Sequence, residues 1–276
     1  MNASPFMHLF SLSRWDPELF VLILSRTSGV LIAMPAFNAR AVPTRIKALA
    51  AVALSALLFP LVGAHIPFRE SGYDTLLLQI LSEFLVGVSI GFCAYLIFAA
   101  VALGGQLAGV QAGFGIVDVI NPLGVAEVPL LGNFQTQVAF LIFLATNAQY
   151  ALLWTLARSY DVIRVGGGSF SDSYFAGITH LVGGMMTLGL VLASPFIVGG
   201  LVLNLVLGFL SKMMPQMNLI SLGLPVMVLG GLLLTLLGLP FFSAVLARSM
   251  GGAWGDPGRS SEGDGGPWRI MTIPVS

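Results

Sequence analysis

Charge is what this sequence has least of. Only 9% of its 276 residues are Asp, Glu, Lys or Arg, against about 25% in an ordinary soluble domain, and none falls between Phe84 and Val117. A chain of this size has no water-shielded interior large enough for a composition that is 57% hydrophobic. A membrane or membrane-assembly protein is therefore expected. Acidic and basic residues balance at 12 each, which removes the global field that would draw nucleic acid or an acidic substrate. Cysteine is reduced to Cys93, so an intramolecular disulfide is excluded. Beside Gly91 and Phe92 in an apolar run, Cys93 reads as a small buried hydrophobe. His8, His65 and His180 are scattered, without a second ligand three or four positions away, so no metal is expected. No Walker loop, no Gly-x-Ser-x-Gly and no carboxylate cluster within an apolar run occurs. No catalytic residue and no cofactor is assigned, and the chain is expected not to be an enzyme.

What the sequence does have is long apolar runs. Six are read as helices: Leu19 to Phe37, Ala48 to Pro67, Phe84 to Val117, Val128 to Ala157, Ser173 to Ser211 and Met213 to Ala247. Each reaches the roughly 20 residues needed to cross a bilayer. Met1 to Ser13 carries no basic cluster, so the first run is expected to be retained rather than cleaved as a signal. Pro195 in the fifth run, and Pro215, Pro225 and Pro240 in the sixth, predict kinks or breaks. From Arg248 onward the chain turns to Gly, Ser, Pro and charge, so residues 248–276 are expected to form a flexible polar tail. The positive-inside rule does not orient the chain. Arg40, Arg45, Lys47 and Lys212 stand on one side, against Arg14, Arg69, Arg158 and Arg164 on the other once the tail is set aside.

Small residues at four-residue spacing supply helix contacts where lipid provides no hydrophobic drive. Gly87 and Gly91 form one such pair, and Gly105, Gly109 and Gly113 repeat the spacing. Gly87, Gly91 and Gly105 are taken as helix-packing positions. A short internal echo, GGLVLNLVLG (199–208) and GGLLLTLLG (230–238), fits a hairpin with two similar arms or a coincidence of composition. Arg26 sits inside the first run and Glu83 opens the third, both near run ends, so snorkelling or pairing would relieve an insertion cost of about 2.5–3.5 kcal/mol each. Acidic groups at mid-depth are too few for a proton-coupled transporter.

The stretch GVQAGFGIVDVINPLG (109–124) is glycine-rich where a membrane helix ought to end. Asp118 stands where a dinucleotide loop needs its third glycine, and no βαβ unit surrounds it. On its residues alone it reads as a buried re-entrant turn, because irregular backbone at membrane depth must face protein or a water-filled cavity. The basic turn MPAFNARAVPTRIKALA (34–50) and the polar break at Asn204, Lys212, Pro215, Gln216 and Asn218 read as inter-helix turns.

Taken in order, these stretches resemble the FliR family of flagellar type III export proteins. The motifs are P-x-F-x-x-R-x-V-P-x-R-I-K (35–47), G-x-Q-x-G-F (109–114), E-V-P-L-L-G-N-F (127–134), F-L-A-T-N (143–147) and N-L-x-L-G-F-L-x-K-M-x-P-Q-M-N-x-x-S-L-G-L-P (204–225). The chain departs from the family pattern at Asn121-Pro122, Asn147-Ala148-Gln149 and Ile220. The resemblance implies an all-α, membrane-associated bundle of long, kinked helices and helical hairpins, working within a hetero-oligomeric helical ring. It implies an export-gate domain over 1–247 with FliP-like and FliQ-like subunits as partners, docking to FlhB-like and FlhA-like export proteins, in the bacterial inner membrane at the flagellar basal body. Unfolded export substrates would pass through its channel. It assigns Gly109, Gln111, Gly113, Phe114, Gly115, Ile116, Asp118, Asn121 and Pro122 to a channel plug. Pro35, Arg40, Pro43, Arg45, Asn204, Lys212, Pro215 and Gln216 are assigned to subunit contacts. A small-solute permease is the alternative. It requires repeated halves around a polar mid-membrane site, which the short echo does not provide.

Overall fold

The computed structural model describes residues 16–34, 42–63, 73–114, 130–167, 172–213 and 219–254. Among these residues there is no strand; the expected all-α membrane bundle is what forms. The helices are α1 (Pro17–Ala33), α2 (Thr44–Gly63), α3 (Tyr73–Gln111), α4 (Leu130–Ala145), α5 (Ala148–Val162), α6 (Asp172–Met213) and α7 (Leu219–Trp254). α1 starts with Asp16 at the N-cap, Pro17 at the first helical position and Glu18 in the first turn, all suited to a helix N-terminus. It stops at Met34, whose extended backbone (φ −70°, ψ 125°) is the conformation a residue before proline adopts.

The six apolar runs differ from these seven helices in four ways. The fourth run is broken at Thr146 and Asn147. There Asn147 takes φ +56°, a left-handed conformation that asparagine tolerates better than most residues. Thr146 caps α4 by donating both its N–H (2.8 Å) and its hydroxyl (2.9 Å) to the Ile142 carbonyl. α3 begins at Tyr73, well before Phe84, and ends at Gln111, short of Val117. Pro195, Pro225 and Pro240 lie inside continuous helices and break none of them. At Pro195 the Val191 carbonyl loses its helical N–H partner, and the Ser194 hydroxyl donates to it instead (2.7 Å). α7 continues past the expected boundary at Ala247 to Trp254; residues 255–276 lie outside the described residues.

Four helical segments have the length and composition to cross a membrane: Thr44–Gly63, Thr75–Gln111, Tyr174–Met213 and Gly223–Gly251. The broken pair α4–α5 makes a fifth if counted as one span. The chain is a membrane protein. α3 and α6, at 39 and 42 residues, extend about 58 and 63 Å along their axes, roughly twice the hydrocarbon thickness of about 30 Å.

The chain divides into two compact units. In the first (Met1–Tyr95 and Tyr150–Ile178 among its parts), α1 is the core. Its Leu22 and Ile23 are fully buried, and α2 packs on it with Phe20 and Phe59 edge to face at 6.1 Å. α1 and α3 meet backbone to backbone. A Cβ at Gly29 would stand 2.5 Å from the Phe84 carbonyl oxygen, one at Gly91 2.6 Å from that of Val30, and one at Gly87 would overlap that of Arg26. In the second unit (Leu96–Gln149 and Thr179–Gly266), Phe98, Phe140 and Phe143 form an aromatic group with centroids 5.6–6.5 Å apart. Gly105 lies on the Gly132 backbone and Gly104 on the Gly189 carbonyl. α7 packs on α4, yet only 6% of its apolar window is buried, against 50% for α3.

Candidate functional site

The end of α3 is built as a Schellman motif. The Phe114 N–H donates to the Gly109 carbonyl (3.0 Å) and the Gly113 N–H to that of Val110 (3.1 Å). Gly113 takes φ +83°, a region glycine enters without penalty. A Cβ there would also lie 3.1 Å from Met227 Cβ, a tight approach that Met227 would have to yield to by a few tenths of an ångström. Phe114, the residue past the cap, packs on a buried apolar cluster of Ala108, Ala112, Leu131 and Phe196. The turn is therefore held from both sides of the helix end, by its own hydrogen bonds and by this cluster.

Of the residues assigned to the plug, Gly109 and Gln111 belong to the last turn of α3, and Gly113 and Phe114 form the cap. Gly115, Ile116, Asp118, Asn121 and Pro122 lie outside the described residues. Of the subunit-contact residues, Pro43 and Arg45 are exposed at the start of α2, and Asn204 and Lys212 are exposed on α6. Pro35, Arg40, Pro215 and Gln216 lie outside the described residues. Gly87 and Gly91 sit at the α1 crossing in the first unit, and Gly105 sits on α4 in the second. Cys93 is half-buried, and His180 is exposed. Among the described residues, no three His, Cys, Asp or Glu side chains converge.

The first unit holds a polar node at which Arg26 and Glu83 neutralise each other. Both side chains are fully buried, and neither snorkels. Arg26 Nε donates to Glu83 Oε2 (2.6 Å) and Nη2 to Oε1 (3.0 Å), a bidentate pairing. Arg26 Nη1 donates to Ser159 Oγ (3.0 Å) and Nη2 to the Ile163 carbonyl (3.1 Å). The guanidinium lies 4.2 Å from the centre of the Tyr160 ring, a favourable cation–π arrangement. Glu83 Oε1 also accepts the Gly166 N–H (2.9 Å). Two opposite charges in separate apolar runs signal a pair. The partners Ser159, Ile163 and Gly166 carry no such signal, since two of them are recruited through their backbone.

Residues 18–253 match the family described as bacterial export proteins, family 1. The chain is 31% identical over 212 residues to the flagellar biosynthetic protein FliR of Bacillus subtilis (strain 168), covering 76% of this chain and 81% of that one. This chain belongs to the FliR family of bacterial export proteins. It is also 30% identical over 234 residues to FliR of Aquifex aeolicus (strain VF5), covering 83% and 89% of the two chains. With FliR of Escherichia coli (strain K12) the identity is 28% over 216 residues, covering 78% and 82%. The FliR match takes in the capped end of α3 and both partners of the buried ion pair.

Proposed function

We propose that this protein is a non-enzymatic subunit of the flagellar type III protein export gate, working at the basal body in the inner membrane. Together with FliP-like and FliQ-like subunits it forms a gated channel for unfolded flagellar proteins, with FlhB-like and FlhA-like proteins docked to it. The segment that follows α3 is the plug. The observation that carries this reading is the capped end of α3: a left-handed glycine turn, anchored on buried apolar side chains, launches a glycine-rich apolar segment. A plug needs a firm base and a segment that resists wetting. Helices roughly twice the thickness of a bilayer support a subunit that stands partly outside the membrane. The sparse burial of α7 supports further subunits around it.

The test is deletion of residues 115–120, which leaves α3 and its cap in place. The expected result is copurification with FliP-like and FliQ-like subunits together with ion leak through the closed complex. Unchanged conductance in an assembled complex would remove the plug role. Lys212→Glu, at an exposed position in the last turn of α6, is expected to reduce copurification; full recovery of the complex would remove Lys212 from the subunit contact.

A further inference from the structure

α6 and α7 each carry a Gly-Gly pair, 199–200 and 230–231, that opens one of the two similar Leu-rich stretches. Their first glycines are used reciprocally. A Cβ at Gly199 would run into the Leu234 side chain, and one at Gly230 would stand 2.5 Å from Leu203 Cδ1. Leu203 follows Gly199, and Leu234 follows Gly230, at the same helical spacing. The same glycine–leucine pair therefore occurs twice between antiparallel arms, and the echo in the sequence is a packing pattern.

The second glycines are used differently. Gly200 and Gly231 are both buried. A Cβ at Gly200 would lie 3.0 Å from Gln111 Cβ, and one at Gly231 would overlap Ala112 Cβ and stand 3.0 Å from its Cα. Gln111 is the last residue of α3, and Ala112 the first of the cap. Each arm thus receives one of two consecutive residues at the helix end. This tightness is local. A Cβ at Gly183 or Gly184 on α6, or at Gly208 or Gly238 further along the two arms, would meet nothing within 4 Å among the described residues.

We propose that the α6–α7 hairpin is a clasp for the end of α3. With the arms together, Gly200 and Gly231 seat Gln111 and Ala112, and the Gly113 turn can leave α3 in only one direction. With the arms apart, the seat is lost and Gly113 is free to take other dihedral angles. The contact between the arms is leucine against glycine, held by dispersion rather than hydrogen bonds. It can be opened without stranding a polar group in an apolar environment. The clasp stands on this packing alone; its consequence for gating rests on the reading of the following segment as the plug.

The test uses the full chain in the assembled complex and measures amide hydrogen exchange across the end of α3, where the Gly113 and Phe114 N–H groups are hydrogen-bonded. Gly231→Ala and Gly200→Ala are expected to speed exchange of these amides roughly tenfold, the scale of a one-methyl overpacking. Adding Ala112→Gly to Gly231→Ala moves the methyl across the same contact, and should restore wild-type exchange. Gly208→Ala, in open space, should leave exchange unchanged. Unaltered exchange in Gly231→Ala, or no recovery in the double variant, overturns the clasp. If Gly231→Ala does not accumulate, the double variant decides: accumulation with wild-type exchange supports the clasp, and failure overturns it. Conductance separates the two readings. Faster exchange without ion leak keeps the clasp and removes the plug, whereas leak on deleting residues 115–120 with unaltered exchange in Gly231→Ala keeps the plug and removes the clasp.

Discussion

The two units of this chain solve one problem by different chemistry. Lipid is as apolar as leucine, so helices gain little by leaving it for one another. The first unit answers with a buried charge node: Arg26, Glu83, Ser159, Ile163 and Gly166 join α1, α3 and the turn after α5. The second unit answers with fit, through Gly105 on Gly132, Gly199 on Leu234 and Gly230 on Leu203. A charge node is intolerant of losing one partner, because the survivor is left unpaired in low dielectric. A glycine seam is intolerant of added volume, but contains nothing that must be neutralised. The lesson is that loss of a charge ought to harm the first unit alone, whereas added volume ought to harm both, because the first unit also has close glycine contacts.

The largest effect is expected from Glu83→Leu, which leaves Arg26 buried without its counter-charge and should cost about 3–5 kcal/mol. Adding Arg26→Leu should return most of that loss, since an apolar pair in place of a buried ion pair is often neutral. SDS titration of the purified protein in mixed micelles measures both, and a single variant no worse than the double would mean that charge is not what holds the first unit. Ser159→Ala comes next. It removes the hydroxyl that accepts from Arg26 Nη1, at an expected cost of about 1.5–3 kcal/mol. The same titration checks this, and a loss under half a kcal/mol would shrink the node to the ion pair.

Overpacking tests the shared element of the comparison. Gly87→Val in the first unit and Gly105→Val in the second each meet backbone and should cost about 1–3 kcal/mol. A cost confined to one unit would show that only that unit depends on close backbone approach. The smallest effect is expected from Gly238→Ala, which has open space around it and should stay within about 0.5 kcal/mol in the isolated chain. If the same variant lowers copurification of the gate, the surface around Gly238 is a subunit contact.

The sequence made the helices legible because uncharged runs of membrane length have few other fates. It also carried the family motifs, since those are local strings. It misplaced the start of α3 because a helix can continue through charge once that charge is satisfied: Arg26 neutralises Glu83, and the Gly166 N–H donates to it. It did not predict the break at Asn147, where an asparagine takes a conformation that few other residues tolerate. The proposed plug was legible as a glycine-rich stretch, and its base as a capped helix end was not. The cap depends on Met227 and on Phe196, which are remote in sequence.

The amino-acid string by itself determined the solvent. With so little charge, the chain has to live against lipid or other apolar protein, and its hydrogen-bonding backbone then has to be helical. Which helix meets which was decided only in three dimensions. In an apolar medium the choice falls to the few places where volume or charge discriminates, and there the partners come from far along the chain: Glu83 for Arg26, Leu234 for Gly199 and Ala112 for Gly231.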